Sequence, residues 1–443
     1  MTELVLPDVL RERAVRPGDR RYPLLRSTYT RVAAPALILL PENAAEVAAA
    51  LEVAHDSGLP LSVRSGGHGL SGRSSNDGGI VLDVSAIDGV EVIDDGARVI
   101  RVGAGARWAN VAAALAPHGW AISSGDHGNV GVGGLATAGG IGWLARSYGL
   151  TIDHIRAVDV VLPDGRLVHA DATHDPDLFW AMRGAGDGVG VALAFEIEAT
   201  PLRAVGFGQV MVEADRDGKT LRRWSEYLAA APRELTGNAM VFPDGTGFAA
   251  QFIAVVAGDD QDRVRDLIAP LAELGVRPLD VAAQLVPYPA LVSTGHLHPN
   301  TGQQPATTTN ALLPTLTDDS ARALMDVAAA PGRTLLQLRA LGGAINDVAP
   351  DATAYTHRHQ QVLAVLTQFP PGGGAELDAA AALLTPYADG AYRNFESRPD
   401  GVSFEGAFPG ATGERVRDLH RRYDPDGLLR RVAATGSAVE PAP

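Results

Sequence analysis

Pro60-Leu-Ser-Val-Arg64-Ser65-Gly66-Gly67-His68-Gly69-Leu-Ser71-Gly72, followed by Gly78-Gly79-Ile-Val-Leu-Asp83, is the stretch from which the rest of the chain can be placed. Leu61 and Val63 read as a short strand, the small residues beyond Arg64 let backbone come close to a ligand, and Ile80–Leu82 re-enter a strand. A turn of this kind presents successive N–H groups, and Arg64, Ser65 and Ser71 add donors, which suits an anionic group such as a pyrophosphate. An ordinary glycine-rich hairpin fits the same residues, because a lone glycine motif is a weak signal.

Upstream, Ala36–Leu40 reads as a buried strand closed by Pro41, and Asn43 caps a helix through Val47, Leu51 and Ala54 that Gly58 stops. Downstream, Val90–Asp94 and Arg98–Val102 form a hairpin about Asp95-Gly96, and a helix spans Trp108–Leu115. A second glycine-rich run follows, from Ser123-Ser124-Gly125-Asp126-His127 to Gly139-Gly140-Ile-Gly142-Trp143. Linkers are polar, whereas this run carries Val130, Val132, Leu135 and Ile141, so it reads as a packed, ligand-facing loop. Strands at Val158–Leu162, Leu167–Val168 and Val191–Ala199, with a short helix from Asp177, complete the first half.

The 443 residues are too many for one ordinary core and suggest two or three domains. A net charge of −15 argues against a grip on nucleic acid or an anionic membrane. With no cysteine, disulfides, thiolate metal sites and cysteine nucleophiles are excluded. The N-terminus shows neither a signal peptide nor a long apolar run, and a cytoplasmic protein is expected.

Arg64-Ser-Gly-Gly-His68, Gly78-Gly-Ile-Val-Leu-Asp83, Val130-Gly-Val-Gly-Gly134 with Gly139-Gly140-Ile-Gly142, and Asp177-Leu-Phe-Trp180-Ala-Met-Arg183-Gly-Ala-Gly186 together closely resemble the FAD-linked oxidases of the vanillyl-alcohol oxidase superfamily. Within it the chain is similar to the berberine-bridge-enzyme-like group. The resemblance implies an α+β fold: a PCMH-type FAD-binding domain of two α/β subdomains (1–204), a substrate domain with an antiparallel sheet backed by helices (205–395), and a C-terminal segment (396–443) that returns to the FAD domain.

It further implies FAD held by Arg64, Ser65, Gly66, Gly67, His68, Gly69 and Ser71 of the first loop. From the second loop it adds Ser124, Gly125, Asp126, His127, Val130, Gly131, Gly134, Leu135, Gly140 and Gly142, and beyond it Gly190 and Val191. The histidine matching His68 bonds covalently to the flavin 8α position. Members with a second link take it from a cysteine where this chain has His127, so a bicovalent flavin is excluded and the pattern resembles the 6-hydroxy-D-nicotine oxidase type. Small Val130, beside the flavin face in the family, favours oxidase over dehydrogenase.

Beyond residue 205, strands are expected at Gly206–Val212, Met240–Phe242, Gly247–Val256, Leu335–Leu341 and Ala354–Arg358, with helices at Leu221–Leu228 and Asp259–Leu274. Leu291–Thr309, with His296, His298, Asn300, Gln303 and Gln304, is a long polar segment that fits a lid or a plain connection. His357, Arg358 and His359 on a strand face opposite ways and cannot converge, so no metal is expected. Gly390–Phe395 resembles the family's Tyr-x-Asn strand, whose period puts Tyr392 and Asn394 on one face. Tyr392 and His357 are the candidate proton acceptors.

The expected activity is hydride removal from a C–H next to oxygen or nitrogen of a small organic substrate, with O2 reduced to hydrogen peroxide. Secondary metabolites rank first, ahead of amines and sugars, and the protein is expected to be a monomer or homodimer. Two departures, Gly410-Ala-Thr412-Gly413 for the family's Gly-x-Asn-Tyr and Leu429-Arg-Arg for its asparagine-bearing tail, motivate an alternative: a non-redox or cyclisation flavoprotein on the same fold.

Overall fold

The computed structural model describes residues 4–245, 247–293, 300–302, 304–330, 334–370, 373–398 and 404–430. Its first sheet comprises β1 (Ala14–Val15), β2 (Leu37–Leu39), β3 (Leu61–Arg64) and β4 (Ile80–Asp83), in the order β1-β2-β4-β3. β4 runs parallel to both neighbours. Helix Ala44–Ser57 buries Val47, Leu51 and Ala54 in one core with Leu37 and Leu39. Asn43 accepts the Glu46 N–H at its start, and Gly58, at φ 65°, ends it.

Next come β5 (Val90–Asp94), β6 (Val99–Gly103), β7 (Trp120–Ala121), β8 (Ile155–Val161), β9 (Leu167–Asp171), β10 (Val191–Glu198) and β11 (Thr200–Pro201). The second sheet, β5-β6-β10-β8-β9, is antiparallel throughout, and β7 pairs with β11. Helix Gly410–Tyr423 sends Val416 and Leu419 into the core of this first half, where Leu428 and Leu429 join them.

The second half is one antiparallel sheet of β12 (Ala204–Ala214), β13 (Leu235–Pro243), β14 (Phe248–Ala257), β15 (Arg277–Pro287), β16 (Thr307–Leu313), β17 (Leu335–Ala340) and β18 (Val362–Gln368), ordered β15-β12-β14-β13-β17-β18-β16. One face packs Val210, Val212, Ala239, Phe252, Leu336 and Leu338 into a core with helices that include Lys219–Ala230 and Asp318–Ala329. Period-two alternation turns Gln209, Met211, Asn238, Met240, Gln251, Gln337 and Arg339 to the opposite face. Register joins Met211, Gln251, Met240 and Gln337 into one row across four strands.

Three expectations on secondary structure are corrected. Residues 354–358 are not a strand: Arg358 turns inward to Asp153, bidentate at 2.8 and 2.9 Å, and also donates to Tyr355 O, so the segment is tied by side chains instead of a ladder. Gly390–Phe395 is not a strand either. Gly390 makes a single bridge to Leu312, and Arg393–Phe395 is a 3₁₀ turn. There the Asn310 side chain replaces the ladder, accepting Tyr392 N–H at 2.7 Å and donating to Tyr392 O at 2.9 Å. The helix expected over 259–274 ends at Ile268 and continues as a 3₁₀ segment, Ala269–Glu273, because Pro270 cannot supply the next helical N–H.

Buried arginines join the halves. Arg146, only 2% exposed, donates from Nε to Leu235 O (2.8 Å), from Nη1 to Leu341 O (2.5 Å) and from Nη2 to Leu228 O (2.6 Å). Arg358 with Asp153 forms the second joint. Tyr288, whose hydroxyl burial pushes up to about 12, donates to Ile122 O at 3.0 Å.

Candidate flavin site

The two glycine-rich loops meet backbone to backbone. A Cβ on Gly66 would lie 2.2 Å from Gly131 N, and one on Gly131 would lie 2.2 Å from Gly66 N, so neither position tolerates a side chain. Arg107 locks the junction, Nη1 donating to Gly66 O at 2.6 Å and to Asn129 O. Burial lowers its pKa. The sequence reading passed over Arg107, although a base following Gly103-Ala-Gly105 inside a glycine-rich stretch was a usable signal.

Around this junction the first loop spends its side chains on the protein. Ser65 Oγ donates to Ala104 O at 2.6 Å, and Ser71 Oγ accepts Arg73 N–H at 3.4 Å. Arg64 is 3% exposed; its Nε donates to Asp83 at 2.7 Å, pinning β3 to β4, while its buried Nη2 has no acceptor among the described residues. Gly67, at φ +63°, turns the chain so that His68 follows at the rim, half-buried, with Gly69 exposed beside it. The His127 ring lies 5.2 Å from that of His68, and its Nδ1 accepts Asn129 N–H at 3.2 Å.

Further along the second loop, Ser124 Oγ is 3.3 Å from the Tyr288 hydroxyl, and Gly125 and Gly142 pack so closely that a Cβ on Gly142 would sit 2.0 Å from Ser124 O. Asp126 pairs at 2.5 Å with Arg339, which reaches over from β17 and is 7% exposed. Val130 is half-buried and Leu135 is buried. Gly190 precedes β10, where a Cβ would meet Val160 Cγ1 at 2.3 Å, and Val191 opens the strand, paired with Val161.

Gly140 N–H donates to the Tyr392 hydroxyl at 3.1 Å, and Asn394 Nδ2 donates to the same oxygen at 3.0 Å. Tyr392 and Asn394 therefore do act on one point, although a 3₁₀ turn and not a strand brings them together. Burial raises the phenol's pKa, while those two donors and Arg339 oppose the rise. His357 is not grouped with them: its Nε2 lies 3.1 Å from Ala407 O, its ring is edge-on to Tyr355, and burial lowers its pKa. Asn300 Nδ2 donates to Gly66 O at 2.9 Å, and Tyr29 Oη donates to Gln304 Oε1 at 2.9 Å, so part of the long polar segment docks on the first glycine loop. His296, His298 and Gln303 lie outside the described residues.

Two observations test whether a flavin nucleotide fits. Gly134 is exposed, and a Cβ there would meet nothing within 4 Å, which leaves a bare backbone surface at the loop junction. Asn129 is 2% exposed, yet its Nδ2 has no acceptor among the described residues, a buried donor left open at the loop junction. Both suit a flat ring system with a pyrophosphate. Gly134→Val is thus expected to leave the melting temperature of the flavin-free chain unchanged while lowering the FAD content of purified protein, measured as bound flavin per chain.

Residues 35–171 match the family described as FAD binding domain. This defines a flavin-binding oxidoreductase. (R)-6-hydroxynicotine oxidase of Paenarthrobacter nicotinovorans is 34% identical over 199 residues, 44% of this chain and 43% of that protein. Chitooligosaccharide oxidase of Gibberella zeae is 28% identical over 434 residues, 89% of this chain and 86% of that one. The fold is shared with glucooligosaccharide oxidase from Acremonium strictum, a 6-S-cysteinyl, 8α-N1-histidyl FAD protein, at TM-score 0.84 and 22% identity over 94% of this chain and 95% of that one. The chain thus carries an FAD-binding domain, and its homologues are FAD-linked oxidases of the vanillyl-alcohol oxidase superfamily and its berberine-bridge-enzyme-like group.

Proposed function

We propose that this chain is an FAD-dependent oxidase joined to its flavin through His68 alone, with the Tyr392 hydroxyl as proton acceptor in the cleft beneath the second-half sheet. The observation that carries the reading is the convergence of the two glycine loops beside His68, with Tyr392 hydrogen-bonded to the second of them. Bound FAD would supply the redox chemistry, the capacity to take up a hydride and to be reoxidised by O2 with formation of hydrogen peroxide.

The rest belongs to the chain. Gly66, Gly67, Gly131 and Gly134 offer backbone to the nucleotide, and Arg107 fixes the two loops against each other. The roof residues Gln209, Asn238, Gln251 and Gln337 present neutral amides, and Met211 and Met240 present apolar surface, which supports a small neutral organic substrate. The net charge of −15 supports the same partner class over nucleic acid or a membrane surface.

For the proton, Tyr392 must be ionised or pass its own proton on as the substrate's arrives. Because burial raises its pKa, the ionised fraction near neutrality is small and grows with pH. The rate of flavin bleaching by a substrate under anaerobic conditions is therefore expected to rise with pH. Tyr392→Phe should lower it by about 10²–10⁴-fold and flatten the rise. Asn394→Ala removes a donor that favours the ionised phenol, and should move the rise to higher pH. An unchanged pH profile in both variants would transfer the role to another group. Anaerobic mixing with a panel of alcohols, sugars and amines that never bleaches the flavin would sink the oxidase reading.

A further inference from the structure

Tyr29 lies outside the glycine-rich motifs, yet its ring lies flat on the His68 imidazole, centroids 4.5 Å apart and planes 15° from parallel. Three hydrogen bonds fix Tyr29 in turn. Its N–H donates to Gly67 O at 2.8 Å, its carbonyl accepts Gln304 N–H at 3.1 Å, and its hydroxyl donates to Gln304 Oε1 at 2.9 Å. The segment carrying Gln304 is anchored beside it, Gly302 N–H donating to Thr28 O and Asn300 Nδ2 to Gly66 O, each at 2.9 Å. One face of the imidazole is thus covered by an aromatic plate held from both halves of the chain. The His127 ring stands 5.2 Å away, tilted by 33°.

We propose that Tyr29 is a positioning residue for flavin attachment, holding the His68 imidazole in the one plane from which a ring nitrogen reaches the 8α carbon. This rests on the reading of His68 as the attachment point. The overall step forms one N–C bond. The imidazole gives up its N–H hydrogen and the 8-methyl group one of its own, and two electrons with two protons leave on O2 as hydrogen peroxide.

Two physical effects make the plate matter. Bond formation at one nitrogen requires the ring plane and the target carbon to be aligned, and a side chain free to rotate about two torsions loses most of that advantage. Once its lone-pair nitrogen has bonded, the ring carries positive charge until the N–H hydrogen on the other nitrogen departs, and an electron-rich phenol face beneath it stabilises that charge.

The test uses full-length chain purified without flavin and then given FAD in air. Attachment is followed as the mass gained by the denatured chain, and prior non-covalent binding as quenching of FAD fluorescence. Tyr29→Leu should bind FAD but attach it at least about tenfold more slowly than wild type. Tyr29→Phe keeps the plate and loses only the hydroxyl bond to Gln304, and should restore the rate to near wild type. Attachment at the wild-type rate in Tyr29→Leu, while His68→Ala attaches none, would overturn the role of Tyr29 and leave His68 standing. A Tyr29→Leu chain that no longer binds FAD would overturn it too, by making Tyr29 a binding residue. A wild-type chain that never gains the mass removes the His68 reading itself.

Discussion

Denatured in acid, the wild-type chain is expected to precipitate yellow with the mass of one added FAD, and the His68→Ala chain to precipitate colourless with all its flavin in the supernatant. The loss is expected to be complete because the chain has no cysteine to form a second link, and His127, whose ring lies 5.2 Å from that of His68, has its Nδ1 engaged by Asn129 N–H. The fold should survive the change. The turn is set by Gly67 at positive φ, by the Gly66–Gly131 contact and by Arg107, none of which involves the His68 ring. A half-buried side chain removed from such a turn should alter stability by about 1 kcal/mol or less. Thermal melting separates the two effects: covalent flavin lost at an unchanged melting temperature is the expected result. A His68→Ala chain that keeps its covalent flavin would place the link elsewhere.

Arg146→Met is expected to be the most destabilising substitution at the joint between the halves, costing at least about 3 kcal/mol in urea unfolding. The guanidinium reaches Leu228, Leu235 and Leu341 carbonyls. The buried charge is held by backbone dipoles, and its pKa falls to about 10 through burial and the nearby Arg233. Methionine fills much of the volume but leaves those carbonyls without donors, which is the costly way to break a buried polar contact. Arg146→Lys restores the charge but supplies one nitrogen where three atoms donate, so it should recover only part of the loss. A wild-type midpoint in Arg146→Met would mean that water replaces the guanidinium at no cost.

The first half of the chain was legible because its signals are local. The Asn43 cap and Gly58 stop, the Asp95-Gly96 hairpin and the glycine spacing of both loops each need only a few neighbouring residues. The second half hides its strands. β15 carries Pro278 and Asp280 and is exposed along most of its length, so no alternation marks it, and β16 opens on polar Thr307–Asn310. The Tyr392–Asn394 pair was found by resemblance, but its geometry depends on Asn310, 82 residues away, which no local pattern reveals. Tyr29 gave no sequence signal at all, because its meaning lies in a ring contact across the first loop. Arg64 and His357 have protein contacts that no local pattern announces, Arg64 Nε with Asp83 and His357 Nε2 with Ala407 O.

Arg146, Arg358 with Asp153, and Arg339 with Asp126 each anchor one end in the first half and the other in the second. The sheet that would read the substrate is therefore not an interchangeable cassette. Grafting the corresponding sheet of a sugar-oxidising relative onto this flavin-binding half would strand buried charges at every unmatched joint. New specificity in this scaffold should be sought by point changes along the Met211–Gln251–Met240–Gln337 row, where side chains can be exchanged without disturbing the seam.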